Sequence, residues 1–173
     1  LAFSVPNMMK SKHLDFDGRE FGSETSHYFL TGGYVFDVSQ NIKFKRLSIE
    51  EGLSAVTVNT IYQDSQDFIW IGTQDGLNRY DGYHFKVFKN DPFNPKSISS
   101  NDVISILEDK SDIYFGSNGG GLSIYNKHTE SFTNYRAGLN TNSLSNNNIR
   151  DIIVLNDNEL LISTANGINI FNK

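Results

Sequence analysis

The side chains able to do acid–base or metal chemistry are few and widely spaced. The four histidines, His13, His27, His84 and His128, are scattered and match no metal-ligand spacing. Carboxylates come in close sets at Asp64/Asp67, Asp109/Asp112 and Asp157/Glu159. Such a set can bind calcium or share a proton. These three recur at one place in a repeating unit, and Asp side chains there bond the local backbone, so they are expected to form turns. Gly119-Gly120-Gly121 has the look of a phosphate loop. That loop needs Gly-Lys-Ser/Thr followed by a helix, whereas Leu122-Ser123-Ile124-Tyr125 reads as a strand. Trp70 can stack on a sugar ring, but it stands in an apolar run and is expected in the core. No catalytic residue, metal site or cofactor site is expected.

The elements that hold these residues are predicted to be strands. The chain has 13 Phe and 8 Tyr in 173 residues and is 38% hydrophobic, enough for a folded core rich in β-formers. The net charge of −5 argues against nucleic acid, which needs a basic face. No polybasic run suggests contact with a membrane surface, and no apolar stretch reaches the length of a transmembrane helix. Cysteine is absent, so there is no disulfide framework or thiolate metal site, and the redox compartment is open. Leu1–Met9 is apolar but holds Pro6 and no basic residue, and is expected to be a tail rather than a signal remnant.

Self-similarity organises the rest. Three segments align, starting at Leu53, Ile98 and Leu144, a period of about 45 residues, which suits a four-stranded propeller blade. Val58, Val103 and Ile149 correspond, as do Ile61, Ile106 and Ile152, and Gly76, Gly121 and Gly167. Tyr80, Tyr125 and Phe171 correspond too. In the first unit the strands are expected at 56–62, 68–72, 77–80 and 85–88, with the glycine closing the second turn at positive φ, where a side chain would clash. The apolar runs of the first two strands imply burial on both faces. The fold class is therefore all-β: antiparallel four-stranded propeller blades in units of about 53–97, 98–143 and 144–173. The third unit ends after its third strand, and propellers close with about 4–8 blades, so the propeller is expected to be incomplete. Residues 1–41 read as an arm or a degenerate half-blade, with 28–37 mimicking the middle of a unit and 42–47 its last strand.

Asp64-x-x-x-Phe68-Ile69-Trp70-Ile71-Gly72-Thr73-Gln74-Asp75-Gly76-Leu77-Asn78-Arg79-Tyr80-Asp81 resembles the two-component-regulator propeller repeat. So do Phe44-Lys45-Arg46-Leu47-Ser48 through Gly52-Leu53-Ser54 before it and Ser97-Ile98-Ser99-Ser100-Asn101-Asp102-Val103 after it. The resemblance covers about residues 42–173 and weakens in the third unit, where Leu161 replaces the tryptophan and Ser163 the glycine. It implies the N-terminal part of the periplasmic sensor domain of a membrane-anchored histidine kinase, hybrid regulator or diguanylate cyclase, with the output domain outside this chain. It also implies a small-molecule ligand, an oligosaccharide in several relatives.

Recognition is expected on the loop face made by 89–97, by 136–143 with Asn142, and by the turns holding Gln74, Asp75, Asn118, Ala165 and Asn166. These offer amides and few charges to a hydroxyl-rich ligand. Two other functions are disfavoured. A propeller lyase needs a convergent His, acid and metal, and the inner-strand positions Val58, Asn59, Ile61, Ser105, Ile106 and Ile152 supply none. A WD40-type scaffold needs Gly-His and Trp-Asp pairs, which are absent. Open blade edges are expected to promote self-association or pairing.

Overall fold

A computed structural model describes residues 28–31, 34–37, 43–140 and 142–173. The chain divides into two units, 1–45 and 46–173. In the first, β1 (Tyr28–Thr31) and β2 (Tyr34–Asp37) form an antiparallel hairpin. The expectations for residues 1–27 lie outside the described residues. The strand expected over 42–47 is not formed in residues 43–47.

The second unit opens with a single 3₁₀ turn, Ile49–Glu51. Ser48 caps it: its hydroxyl accepts from the Glu50 N–H at 3.2 Å, and Glu51 reaches back to the Ser48 N–H at 2.6 Å, a capping box. Gly52 ends the turn at φ 109°.

Three antiparallel sheets follow in chain order. Blade 1 is β3 (Val58–Gln63), β4 (Ile69–Thr73), β5 (Gly76–Tyr80) and β6 (Phe85–Phe88). Blade 2 is β7 (Val103–Asp109), β8 (Asp112–Ser117), β9 (Gly121–Asn126) and β10 (Ser131–Tyr135). Blade 3 has β11 (Ile149–Asn156), β12 (Glu159–Thr164) and β13 (Gly167–Asn172). Each is a meander in which every strand pairs with its sequence neighbour. The register slips at the start of each inner strand, between Val58 and Thr60, Val103 and Ser105, and Ile149 and Asp151. The recurring bulge re-aims the strand.

The turn chemistry is local. Asp64 is buried, and its Oδ1 accepts from the N–H groups of Gln66 and Phe68 at 2.9 and 3.0 Å. Its Oδ2 accepts from Trp70 Nε1 at 2.8 Å. The carboxylate thus shapes its turn, as expected from its position, and also satisfies the one polar atom that a buried tryptophan carries. Gly76, Gly121 and Gly167 all have positive φ, at 134°, 79° and 96°. Steric need separates them. A Cβ on Gly121 would lie 2.3 Å from the Tyr135 carbonyl, whereas a Cβ on Gly167 would meet nothing within 4 Å. The clash expected at Gly167 is absent because, among the described residues, no strand lies beside that turn as β10 lies beside Gly121.

The core lies between blades. Trp70, Leu77, Val103, Ile106, Phe115 and Tyr125 belong to a cluster joining blades 1 and 2, and Trp70 stacks against Phe88 at 5.7 Å. Tyr114, Leu122, Ile149, Ile152, Leu160 and Ile162 belong to the cluster joining blades 2 and 3. The glycines of β4 and β8 act as sockets for the next blade. A Cβ at Gly116 would sit 2.5 Å from Ile149 Cγ2, and one at Gly72 would sit 3.0 Å from Val103 Cγ1. Burial on both faces, expected for the first two strands of every unit, holds for β4 and for most of β8. It fails for β3 and β11, which are largely exposed, and for β7 and β12, which are half-buried. Burial here depends on a neighbouring blade, and among the described residues blades 1 and 3 each have one neighbour.

Candidate functional site

The second turn of each blade and the connections between blades meet at one end of the sheets. Backbone bonds hold them together. Gln74, Asn118 and Ala165 N–H donate to the carbonyls of Thr57, Asp102 and Asn148, at 3.3, 2.9 and 2.9 Å. Gly76 and Gly121 N–H reach the connection into the following blade, donating to Asn101 and Asn147 at 2.7 and 2.9 Å. A polar lock repeats beneath them. The Ser54 N–H donates to Asn78 Oδ1 at 2.9 Å, and its hydroxyl lies 2.9 Å from Thr73 Oγ1. In blade 3, Ser145 makes the same pair of contacts with Asn169 and Thr164, at 3.0 and 2.9 Å. Blade 2 uses Ser99 and Ser123, 2.8 Å apart.

The five residues expected to bind ligand are all exposed on this face, in two different conditions. Asp75 and Asn118 are engaged. Asp75 pairs with Lys89 Nζ at 2.7 Å and accepts from Asn101 Nδ2 at 3.2 Å, while Asn118 Nδ2 donates to Asp102 Oδ2 at 3.0 Å. Both therefore hold turns in place. Gln74 and Asn166 are anchored only through backbone N–H groups, to Thr57 O and Thr164 Oγ1. The side-chain amides of Gln74, Asn142 and Asn166 make no hydrogen bond within the described residues, so they are open to a ligand. No hydrogen bond joins any two of the five.

Sequence reasoning missed two apolar residues at this end. Phe93 and Leu139 are fully exposed at the tips of the connections into blades 2 and 3. Both loops are tightly closed. In the first, Ser97 Oγ accepts from the Asp91 N–H at 2.9 Å and donates to the Asp91 carbonyl at 3.1 Å. In the second, Ser143 Oγ accepts from the Gly138 N–H at 3.1 Å and donates to the Gly138 carbonyl at 2.8 Å. The readable signal was the shared frame of an apolar residue, Asn and a closing Ser: Phe93, Asn94 and Ser97 against Leu139, Asn140 and Ser143.

Charge is concentrated at the other end of the sheets. Lys127 pairs with Glu108 and lies 3.8 Å from Asp64 across the blade 1–2 junction. Glu108 also accepts from Ser65, at 2.7 Å from both its N–H and its hydroxyl. Burial resists ionisation of Glu108, but these Lys127 and Ser65 bonds hold its carboxyl below the ordinary range. Lys173, in the position of Lys127, pairs with Asp109 at 2.6 Å across the blade 2–3 junction. Burial pushes the Tyr125 phenol up to about 12, so it stays protonated near neutrality. These groups bind blade to blade, and none faces the loop end. His84 and His128 are exposed in their turns. Among the described residues, no three His, Asp or Glu side chains converge to hold a metal ion, and no helix is long and apolar enough to cross a membrane.

This architecture is that of consecutive propeller blades. Residues 52–75 match the family described as "Two component regulator propeller". The chain is similar to the extracellular domain of a protein described as a hybrid two component system from B. thetaiotaomicron, with 32% identity and a TM-score of 0.69 over 74% of this chain and 18% of that one. It also resembles the extracellular domain of a protein from the same organism described as a one component system, with 25% identity and a TM-score of 0.59 over 69% of this chain and 18% of that one. A 61-residue stretch, 35% of this chain, is 43% identical to Histidine kinase P4 of Formosa agariphila and spans 4% of that protein's length. The chain is thus homologous to the extracellular domains of two-component sensor proteins and spans less than a fifth of the length of those it matches.

Proposed function

We propose that this chain is part of the periplasmic, ligand-binding region of a membrane-anchored signalling protein, and that its loop face contacts a hydroxyl-rich ligand such as an oligosaccharide. The observation that carries this is the loop end itself. Tightly closed loops present Phe93 and Leu139 at the same end of the sheets as the free amides of Gln74, Asn142 and Asn166. Sugars offer apolar ring faces and hydroxyls, which aromatic rings and amides recognise together. The resemblance to extracellular sensor domains supports the reading. Occupancy of this region is read by a kinase or cyclase domain in residues outside this chain.

The test is a glycan array followed by titration of each hit. Binding is expected, with Phe93→Ala weakening it roughly tenfold, the effect of losing one good aromatic contact of about 1.4 kcal/mol. Asp81→Asn, at the opposite end, is expected to leave it unchanged. Turnover of a bound glycan, or equal affinity in the Phe93→Ala variant, would overturn the reading.

A further inference from the structure

The connections into blades 2 and 3 carry the same device one repeat period apart. The Ser97 N–H donates to the Asn94 carbonyl at 3.0 Å, and the Ser143 N–H donates to the Asn140 carbonyl at 3.0 Å. Just before each of these turns an apolar side chain, Phe93 or Leu139, stands out in solvent. The first connection is built to be stiff. Pro92 and Pro95 restrict its backbone. The Asp91 and Asn94 side chains accept from the N–H groups of Phe93 and Lys96, at 2.9 and 3.0 Å. The Phe132 N–H donates to the Lys96 carbonyl at 3.0 Å, which seats the connection on β10. This connection runs between two four-stranded blades, and Phe93 is still 95% exposed. Its exposure therefore belongs to the loop rather than to an uncovered blade. An apolar side chain held at a fixed place in water loses little freedom when a ligand covers it.

Resting on the carbohydrate reading of the loop face, we propose that each connection is one subsite, and that the ligand is a linear, uncharged oligosaccharide touching the tips of consecutive connections at once. The device repeats with the blade, and a polymer of sugars repeats along its own length. Packed sheets lie about 10 Å apart, so one sugar ring cannot cover the tips of two blades, whereas a chain of several units can. Two weak contacts joined in one chain bind more tightly than either alone, because the second forms at the high effective concentration set by the first. Charge points to a neutral chain. In the two connections and the second turns, Asp75, Asp91 and Asp102 stand against Lys89, Lys96 and Arg136, and Asp75 is already paired with Lys89. No excess of either sign is left to select an ionic ligand.

Titration calorimetry with cello-, xylo-, manno- and laminari-oligosaccharides of increasing length tests this. In a series that binds, the monosaccharide is expected to bind weakly at two sites on each protein chain. Beyond a threshold length, one oligosaccharide is expected to bind per protein chain, roughly tenfold more tightly or better. Phe93→Ala and Leu139→Ala alter exposed side chains and are expected to keep the fold, checked by circular dichroism. Either variant is expected to lose that gain with long oligosaccharides and to keep one monosaccharide site. An affinity that does not rise with length, or a rise that survives both substitutions, would overturn the inference and leave the carbohydrate reading standing. So would binding of acidic glycans alone. Binding of no glycan, neutral or acidic, would overturn both.

Discussion

Blade 2 and the two blades that flank it are built from the same repeat, yet two positions behave differently among them. Leu77 and Leu122 are fully buried, and Ile168, at the same place in blade 3, is mostly exposed. Ile106 and Ile152 are buried, and Ile61 is not. Side-chain type is nearly constant in each set. The difference lies in whether a neighbouring sheet covers the face, so burial in this architecture belongs to junctions rather than to blades. Stability should follow junctions as well.

The largest effect is expected at Trp70, the centre of the first junction. Trp70→Ala removes the anchor of that cluster and leaves Asp64 without its indole donor, so about 3–5 kcal/mol should be lost in urea unfolding. Leu161→Ala, at the same repeat position, should cost under about 1 kcal/mol in the monomer, where that side chain is only half-buried. Equal losses would break the comparison. A second contrast is smaller. Leu122→Ala should cost about 2–4 kcal/mol as a buried truncation. Ile168→Ala should fall within about 0.5 kcal/mol, the range of surface changes.

The smallest expected effect is pH-dependent and concerns the ionic side of the same junction. Glu108 titrates below its ordinary value of 4.5 in the folded chain. A carboxylate of lowered pKa adds stability above its unfolded pKa, and this is lost as pH falls through the folded one. Unfolding measured from pH 6 downward should therefore show a decline beginning near the ordinary glutamate range and continuing below it. In Glu108→Gln that decline should be shallower, because the amide does not titrate. Parallel curves for the two proteins would remove Lys127 and Glu108 from the account of how blades are held.

The fold was legible because the repeat carries its own punctuation. Turn residues bound each apolar run, and β6 falls on the expected 85–88 while the other strands of blade 1 shift by a residue or two. The exposure of β3 was not legible, because Val58 and Ile61 look like core residues until the missing neighbour is seen. The engagement of Asp75 and Asn118 was equally hidden. Their partners Lys89, Asn101 and Asp102 come from connections whose paths no local pattern fixes. The Lys127 and Lys173 contacts could have been found, since they stand at one repeat position opposite the carboxylates Asp64 and Asp109.

The polar lock under the loop end has a consequence for how such a chain comes to be assembled. In all three blades its seryl N–H contact spans the same interval, 24 residues, from Ser54 to Asn78, Ser99 to Ser123 and Ser145 to Asn169. That interval is shorter than the repeat, so no lock threads through its neighbour's. Low sequence separation favours rapid closure, and domains emerging from synthesis fold in N- to C-terminal order. Each lock can therefore close as its blade leaves the ribosome, while burial of the blade's apolar face waits for the junction with the next. The same independence lets a gene lengthen the array by copying one unit, since the copy brings every partner its lock needs.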